Sequence, residues 1–471
     1  MQSKSLTKWV CALAAAVALP AQSWAAEVIV FNADGPGVGF NDPTPAAPVG
    51  GNPGTTRGQQ ALNVFQRAAD LWGSRLQSDQ TINVIATFTP LACTATGGVL
   101  GAAAANWFFA NSPAAPGGQG LTPDTWYHGA LAEKLTKTDL TTAADPNDFF
   151  EIFTLFNSNL GTPGCLEAGG WYFGLDNQQP ANLIDLLAVV LHEFGHGLGF
   201  SLGTTSSNTG VRALDFPSVW EANMLDLTTG KTWLTMTNAE RMASARNDQN
   251  LVWIGNQANN NVNSVLDRAV ILNATGVSPI SPNPAAFGGQ VTQAPGQNVS
   301  GPLSAPNDIS ASPLGCSPYA SPTALAGQIV LVNRGVCTFA IKAQNAQAAG
   351  AAALLIANSI PGTFSPGGAA PDVTIPVFGV TTAEGAALRA AVASGPVAAQ
   401  IGASAKIRAG TTAGYPRLFA PTVFAQGSSV SHWDVSMNPS TLMEPSITSE
   451  LTSSVKNPED LTRGLLRDIG W

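Results

Sequence analysis

Two of the chain's four histidines stand four positions apart, in the stretch LHEFGHGLGFSLG at 191–203. The residues before them, PANLIDLLAVVLHEF, place leucine and valine at helical intervals, and Pro180 suits the first turn of a helix. A spacing of four on a helix puts His192 and His196 on one face, one turn apart, where both imidazoles can bind one zinc ion. The glycines of GHGLG predict that this helix ends soon after His196.

Glu193 follows the first histidine and is angled toward the open coordination position of such an ion, where it can act as a general base. A third ligand is needed, but position 202, where the longest form of this motif has a histidine, is Leu202. One alternative is an acidic ligand from a following helix, Asp215 or Glu221, as in thermolysin-like enzymes. The glycines disfavour it, because Gly199 allows a sharp turn that sends a non-helical segment back beneath the metal.

The other candidate for the third ligand is His432, in HWDVSMNPSTLM at 432–443. HEFGHGLGF and this stretch together resemble the leishmanolysin-like metzincins, which have an HExxHxxG motif, a distant third histidine and a turn that carries a methionine. The resemblance implies zinc ligands His192, His196 and His432, general base Glu193, turn glycine Gly199 and turn methionine Met443. One Zn²⁺ ion and peptide or protein substrates are implied with them.

The resemblance also implies an α+β catalytic domain, a mixed sheet plus the zinc helix. In such a domain a zinc-bound water activated by Glu193 hydrolyses peptide bonds, as in a metalloendopeptidase. Some metzincins have a tyrosine two residues after the methionine, but here that residue is Pro445. Zinc, backbone groups or another residue must then stabilise the oxyanion. The strand candidate FFEIFTLF, at 149–156, matches by its place before the helix the edge strand that pairs with an extended substrate.

The 236 positions between His196 and His432 are too many for one loop inside a compact domain. The stretch GQIVLVNRGVCTFAIKAQNAQAAGAAALLIANS closely resembles a protease-associated (PA) domain, an inserted small α/β unit linked to substrate access or protein interaction. Within it, we expect Arg334 and Lys342 to serve local hydrogen bonding and solvation. The predicted organisation is a signal peptide at 1–25, a catalytic domain at 26–267 and 407–471, and the PA domain at 268–406.

The N-terminus, MQSKSLTKWVCALAAAVALPAQSWA, has a basic start, a short apolar run and a small-x-small ending at Ala25, which predict a secretory signal peptide. No apolar run is long enough to span a bilayer, so we expect a secreted protein. The formal net charge of −9 argues against nucleic acid or an anionic membrane as a partner. Four cysteines remain after Cys11 leaves with the leader, and export favours two disulfides. Of three possible connectivities, the one that keeps each pair within one predicted domain is favoured: Cys93–Cys165 with Cys316–Cys337.

Several features have a second interpretation. A secreted PA-domain binding or surface protein with a structural or vestigial zinc site is the alternative to an enzyme, although the presence of Glu193 favours the enzyme. Asp34 and Asp42, in NADGPGVGFND, are candidate calcium ligands or ordinary turn residues. His128 is expected at the surface or at a helix cap, which is favoured over a role as a metal ligand. Asp185 is expected either beside a ligand histidine or as a solvated helix residue.

Overall fold

The computed structural model describes residues 25–471 apart from 96, 146–147, 168, 181, 286, 292–293, 295–297, 369, 409–410, 412–413, 448–450 and 452. The predicted signal peptide therefore lies outside the described residues, except for Ala25. Within the described ranges, every helix is too short or too polar to cross a bilayer.

Three clusters of buried apolar side chains form the interior. The largest combines residues from before position 267 with residues from after position 417, such as Trp72, Leu187 and Leu465. The buried members of the other two clusters all lie between positions 272 and 401. This separation supports the predicted boundaries at 268 and 406, which stay a prediction.

The first part of the chain mixes helices with short strands. In chain order the elements are β1 (Val28–Asn32), α1 (Arg57–Gly73), β2 (Ile82–Thr89), β3 (Cys93–Thr94), β4 (Gly97–Gly98), β5 (Gly101–Ala105), β6 (Phe108–Phe109), β7 (Tyr127–His128), α2 (Gly129–Thr136), α3 (Leu140–Ala144), β8 (Ile152–Asn157), β9 (Trp171–Tyr172), β10 (Ile184–Asp185), α4 (Leu186–Leu198), β11 (Met224–Asp226), β12 (Lys231–Thr232), α5 (Asn238–Ser244), β13 (Leu251–Trp253) and α6 (Asn256–Val265).

A four-stranded sheet with the order β1-β2-β8-β5 supports α4. β1, β2 and β8 are parallel, whereas β5 is antiparallel to β8, with Gly101 opposite Phe156 and Ala105 opposite Ile152. The prediction that the strand at 149–156 lies at the sheet edge is therefore wrong, because β8 is internal. The edge is β5, whose small residues GAAAA let it run close to α4.

The second part of the chain forms one sheet with two helices. Its elements are β14 (Arg268–Ala274), β15 (Val277–Ile280), β16 (Asn283–Pro284), β17 (Val299–Ser304), β18 (Ile329–Asn333), α7 (Phe339–Ala348), β19 (Ala353–Ala357), β20 (Val377–Val380), α8 (Thr382–Ser394) and β21 (Val397–Arg408). The strand order is β15-β14-β21-β17-β18-β19-β20-β16. β18, β19 and β20 pair consecutively and in parallel, with α7 between the first two, as expected of a small α/β unit.

After residue 408 the chain returns to the first core and ends in α9 (Thr462–Ile469). This helix is amphipathic, since Leu461, Leu465, Leu466 and Ile469 are all buried. Asp468 on its polar side accepts hydrogen bonds from the N–H groups of the first turn of α6. This contact favours the helix start, where backbone donors have no partner within the helix.

Both predicted disulfides are present. Cys93 is bonded to Cys165, and Cys316 to Cys337. The first links the β3 hairpin to the segment after β8, and the second lies within the PA region, so neither bond crosses between the two parts of the fold.

Candidate metal centre

α4 carries the two neighbouring histidines and begins later than the sequence predicts. Its N-cap is Asp185, whose Oδ1 accepts a hydrogen bond from the Leu187 N–H at 2.9 Å. Ile184 and Asp185 pair with β9, so the chain before the cap is extended, and placing Pro180 in the first helical turn is wrong. Asp185 is only 2% exposed. It stabilises the helix start and is not a solvated residue.

The end of α4 lies where the sequence predicts it. Leu198 is the last helical residue, and Gly199 follows with φ 124°, which a residue with a side chain rarely adopts. The Gly199 N–H donates to the carbonyls of Gly195 and His196. The chain then turns away from the helix axis.

Gly195 and Gly197 lie inside the helix, and close packing explains them better than helix termination does. A Cβ at position 195 would lie 2.8 Å from Sδ of Met443. A Cβ at position 197 would lie 2.8 Å from Cγ1 of Ile152, and its Cγ2 is closer still. Glycine at these two positions lets the methionine and β8 approach the helix backbone.

The three predicted ligand histidines come together in space. The Nε2 atom of His196 lies 3.1 Å from that of His192 and 3.2 Å from that of His432, and the third distance is 3.3 Å. The side chains are 6–8% exposed. Among the described residues, this is the cluster of potential ligands that could hold a metal ion.

Each histidine also makes a hydrogen bond through Nδ1 to a backbone carbonyl. The acceptors are Leu442 at 2.7 Å for His192, Phe200 at 2.8 Å for His196 and Ser428 at 2.9 Å for His432. A carbonyl can only accept, so each Nδ1 carries the hydrogen and a neutral imidazole leaves a lone pair on Nε2. Sequence reasoning missed these acceptors because a backbone carbonyl has no signature in the residue types.

Burial keeps the three imidazoles neutral. Desolvation lowers the pKa of His192 to about 4. Desolvation, and then the neighbouring His192, lowers the pKa of His432 to about 3. The pKa of His196 is also well below its ordinary value, first through burial and then through His432. Three lone pairs therefore face one another without a proton to share, an arrangement that could hold a cation.

The distances fit zinc. Zn–N bonds of about 2.0–2.1 Å in a tetrahedral site place two ligand nitrogens about 3.3–3.4 Å apart. The observed separations of 3.1–3.3 Å are close to these values. Three protein ligands would leave one position of a tetrahedron for water or substrate, as in catalytic zinc sites.

Glu193 lies next to this cluster and is 6% exposed. Burial raises its pKa to about 8. Gly101, the first residue of β5, faces its carboxylate, because a Cβ at position 101 would lie 3.0 Å from Oε1. The edge strand thus begins beside the candidate base, a contact that no motif in the sequence indicates.

The segment that carries His432 is attached to the turn after α4. The Leu202 N–H donates to Oγ of Ser431 at 3.1 Å. The His432 carbonyl accepts from the Phe419 N–H at 2.9 Å, which fixes the segment on its other side. Leu202 occupies the position where the longest form of the motif has a histidine. It therefore lies beside Ser431, the residue before His432.

Met443 is fully buried and packs under α4 at Gly195. Its carbonyl accepts from the Trp433 N–H at 2.8 Å, which connects the methionine turn to the third-histidine segment. Pro445 follows as a half-buried residue. It has no donor, so it cannot stabilise an oxyanion.

The acidic alternatives for the third ligand lie elsewhere. Asp215 is exposed in a turn. Glu221 is buried and binds Arg212, with Oε2 2.8 Å from Nε, and it also accepts from Thr205 at 2.5 Å. Its carboxylate is therefore already neutralised by a guanidinium.

The remaining candidates have structural roles. His128 is the N-cap residue of α2 and is 1% exposed, so the surface interpretation is wrong; its Nε2 lies 2.7 Å from Oγ of Ser201. Asp34 accepts from the N–H groups of Phe40 and Phe88, each at 2.8 Å. Asp42 accepts from the Thr44 N–H. These carboxylates hold loops, and no metal-binding cluster among the described residues includes them.

Two basic residues of the PA region serve packing and hydrogen bonding. The Arg334 guanidinium stacks over Phe339 and Phe364, and its Nη1 donates to Asn358 at 3.0 Å. Lys342 is fully buried, so its expected solvation is wrong. Its Nζ donates to the Leu314 carbonyl at 2.7 Å and to the Gly335 carbonyl at 2.9 Å.

Comparison with known proteins confirms the PA domain. Residues 299–388 match the family model described as PA domain. The chain is 35% identical over 126 residues to a probable leucine aminopeptidase 2 from Aspergillus fumigatus, covering 26% of this chain and 24% of that protein. It is 44% identical over 114 residues to the probable lipoprotein aminopeptidase LpqL from Mycobacterium tuberculosis, covering 23% and 22%.

The chain thus spans about a quarter of the length of these curated relatives. A solved zinc aminopeptidase from Bacillus subtilis is 27% identical over 30% of this chain and 31% of its own, with a TM-score of 0.23. That score is too low to relate the two folds. A mixed α/β fold with an inserted PA domain is established, and the metzincin assignment stays a prediction.

Proposed function

We propose that this chain is a secreted zinc-dependent endopeptidase of the metzincin type. The observation that carries the proposal is the convergence of three unprotonated Nε2 atoms, 3.1–3.3 Å apart, at the helix that also carries Glu193. His192, His196 and His432 would hold the ion. Two disulfides and the predicted leader support export.

A zinc ion held by these three histidines would lower the pKa of a bound water from 15.7 to about 7 and would polarise the substrate carbonyl. Glu193 takes the proton of the attacking water and delivers it to the leaving amine. Burial alone would keep this carboxyl protonated, since its pKa is about 8. The double positive charge of the ion favours the ionised form, which the base requires.

The edge strand β5 supports cleavage within an extended chain. It pairs with β8 on one side, and its first residue lies beside Glu193. A peptide that adds to the other side of β5 would receive backbone hydrogen bonds and pass the base in an extended conformation. Such binding needs no free N-terminus, and this favours an endopeptidase.

Two other functions have support. The matched segments of the relatives belong to proteins named aminopeptidases, which makes removal of N-terminal residues a second candidate. A PA-domain binding protein with a structural zinc ion is the third. Neither accounts for Glu193 beside the histidines and the strand edge as directly as an endopeptidase does.

The test combines zinc content with cleavage assays on the purified wild type, Glu193→Gln and His432→Ala. The substrates are casein, a peptide with an acetylated N-terminus, and an unblocked aminoacyl amide. We expect the wild type to bind one zinc ion and cleave casein and the blocked peptide. Glu193→Gln should keep zinc and lose activity by about 100-fold or more, and His432→Ala should lose both. Asp215→Ala is the matched control and should behave as the wild type.

Each alternative has its own signature. Full activity of His432→Ala would refute the three-histidine site. Activity on the aminoacyl amide alone would establish the aminopeptidase instead. A zinc-loaded wild type without any activity would establish the binding protein.

A further inference from the structure

The three ligand histidines depend on backbone carbonyls, and these are held in different ways. The Phe200 carbonyl lies at the end of α4, where the Phe200 N–H donates to Gly195 at 2.9 Å. The Ser428 carbonyl belongs to a turn in which the Ser428 N–H donates to Ala425 at 3.1 Å. Local chain geometry therefore orients these two acceptors. The Leu442 carbonyl, the acceptor for His192, is held through a contact from a distant part of the chain.

That contact comes from Asp460. Its Oδ2 accepts from the Leu442 N–H at 2.7 Å, and its Oδ1 accepts from the Thr462 N–H at 2.7 Å, in the first turn of α9. Asp460 is 2% exposed and Leu442 is 1% exposed. One buried carboxylate thus joins the methionine turn to the C-terminal helix.

We propose that Asp460 is a positioning residue for the metal ligand His192, an inference that rests on the zinc site proposed above. Asp460 holds the N–H group of Leu442, and the carbonyl of the same residue accepts from Nδ1 of His192 at 2.7 Å. The contacts thus run from the Asp460 carboxylate through the Leu442 backbone to the His192 imidazole. A partner that holds the far nitrogen of a ligand histidine fixes both its tautomer and its ring orientation.

The surrounding turn supports this role. The Thr441 N–H donates to the Glu444 carboxylate at 2.6 Å, so the turn closes on itself at Thr441 and Glu444. The Leu442 N–H between them is satisfied by Asp460. Without that carboxylate, a buried donor would have no partner in this turn, and the backbone at Leu442 would move to find one.

Asp460 also caps α9, so a loss of stability alone would not prove the inference. Asp226 provides a matched control, since it is 1% exposed and accepts from the Thr228 N–H at 3.0 Å and the Thr229 N–H at 2.9 Å. It is the same residue type and also accepts from two backbone N–H groups, but within a single turn that bears no candidate ligand. Asp226→Ala should lower thermal stability without changing metal affinity.

The experiment titrates zinc-free full-length wild type, Asp460→Ala, Asp460→Asn and Asp226→Ala with Zn²⁺ against a chromophoric chelator. The visible spectrum of Co²⁺ bound at the same site reports ligand geometry. We expect the Kd for Zn²⁺ to rise about 10- to 100-fold in Asp460→Ala and less in Asp460→Asn, which keeps one acceptor oxygen. The Co²⁺ spectrum should change in both Asp460 variants, and Asp226→Ala should match the wild type.

The outcomes separate the two proposals. A wild type that binds no zinc refutes the proposed site itself. If the wild type binds zinc, the inference on Asp460 is refuted by a Kd within twofold of wild type in the folded Asp460 variants, or by an equal loss in Asp226→Ala. If Asp460→Ala does not fold, Asp460→Asn decides by the same criteria.

Discussion

The close packing of α4 on β8 leads to a quantitative prediction for Gly197→Ala. Position 197 follows His196 directly, and a Cβ there would lie 2.8 Å from Cγ1 and 2.9 Å from Cδ1 of Ile152. Carbon atoms in contact prefer about 3.5–4.0 Å. Cγ2 of Ile152 would lie closer still, so either α4 or Ile152 must move by about 1 Å or more.

The loss of unfolding free energy depends on whether the Ile152 side chain can move aside. Ile152 is 1% exposed and belongs to an internal strand, so its side chain cannot turn toward solvent. Overpacking of this kind costs about 1–3 kcal/mol, and replacing a helical glycine by alanine recovers about 1 kcal/mol. We expect the variant to lose up to about 2 kcal/mol of unfolding free energy. Catalysis should suffer more, because a misplacement of about 1 Å near His196 can lower the rate about 100-fold.

A double-mutant cycle with Ile152→Ala tests this reasoning. The single Ile152→Ala change should cost about 2–5 kcal/mol through the cavity it leaves. In the double variant the new methyl group occupies part of that cavity, so the two costs should not add. We expect a favourable coupling of about 1–3 kcal/mol, measured by urea denaturation of the zinc-free proteins, with kcat/KM partly restored in the zinc-loaded double variant.

Additivity of the two changes within about 0.5 kcal/mol would refute the packing explanation. In that case Gly197 would serve only the helix end, as the sequence first indicates. An unchanged kcat/KM in Gly197→Ala would show that the histidine helix tolerates the shift.

Three further expectations concern other parts of the molecule. Replacing both Cys93 and Cys165 by serine opens a link between residues 72 positions apart. It should lower the unfolding free energy in urea by about 4.4 kcal/mol on the chain-entropy model, and an unchanged midpoint would contradict this. Burial lowers the pKa of His128 to about 3. As the pH falls below about 6.5, the His128 imidazole is protonated in the unfolded state, whereas in the folded state it is protonated only near pH 3. Between these two values the free energy of unfolding therefore falls by up to about 1.4 kcal/mol per pH unit. Zinc-free His128→Gln should show a flatter dependence of stability on pH there, and equal slopes would refute the assignment. Gly101→Ala should displace the Glu193 carboxylate and lower kcat on the order of 10-fold while zinc content stays the same; loss of zinc would point to a wider disturbance.

The grouping of the candidate site was predictable from residue types and spacing. A histidine pair at a spacing of four has one helical geometry, and only two other histidines exist in the chain. The sequence also indicated the end of α4 at Gly199, because a sharp turn needs the conformational freedom of glycine. The structure brings His432 to the pair, although the residues alone left an acidic ligand open.

Other features depend on contacts that one sequence does not reveal. Pro180 suggested a helix start, but pairing of Ile184 and Asp185 with β9 keeps the chain extended up to the cap. The strand at 149–156 has the composition of an edge or a central strand equally well. Its internal place follows from its pairing with β5, an earlier segment of the chain that has only glycine and alanine.

The Leu202 contact explains how a ligand can lie 236 positions from its partner without loss of geometry. Gly199 turns the chain after α4, and the Leu202 N–H then binds Oγ of Ser431, the residue before His432. Leu202, at the position where the longest form of the motif has a histidine, is therefore the point where the segment that carries His432 attaches.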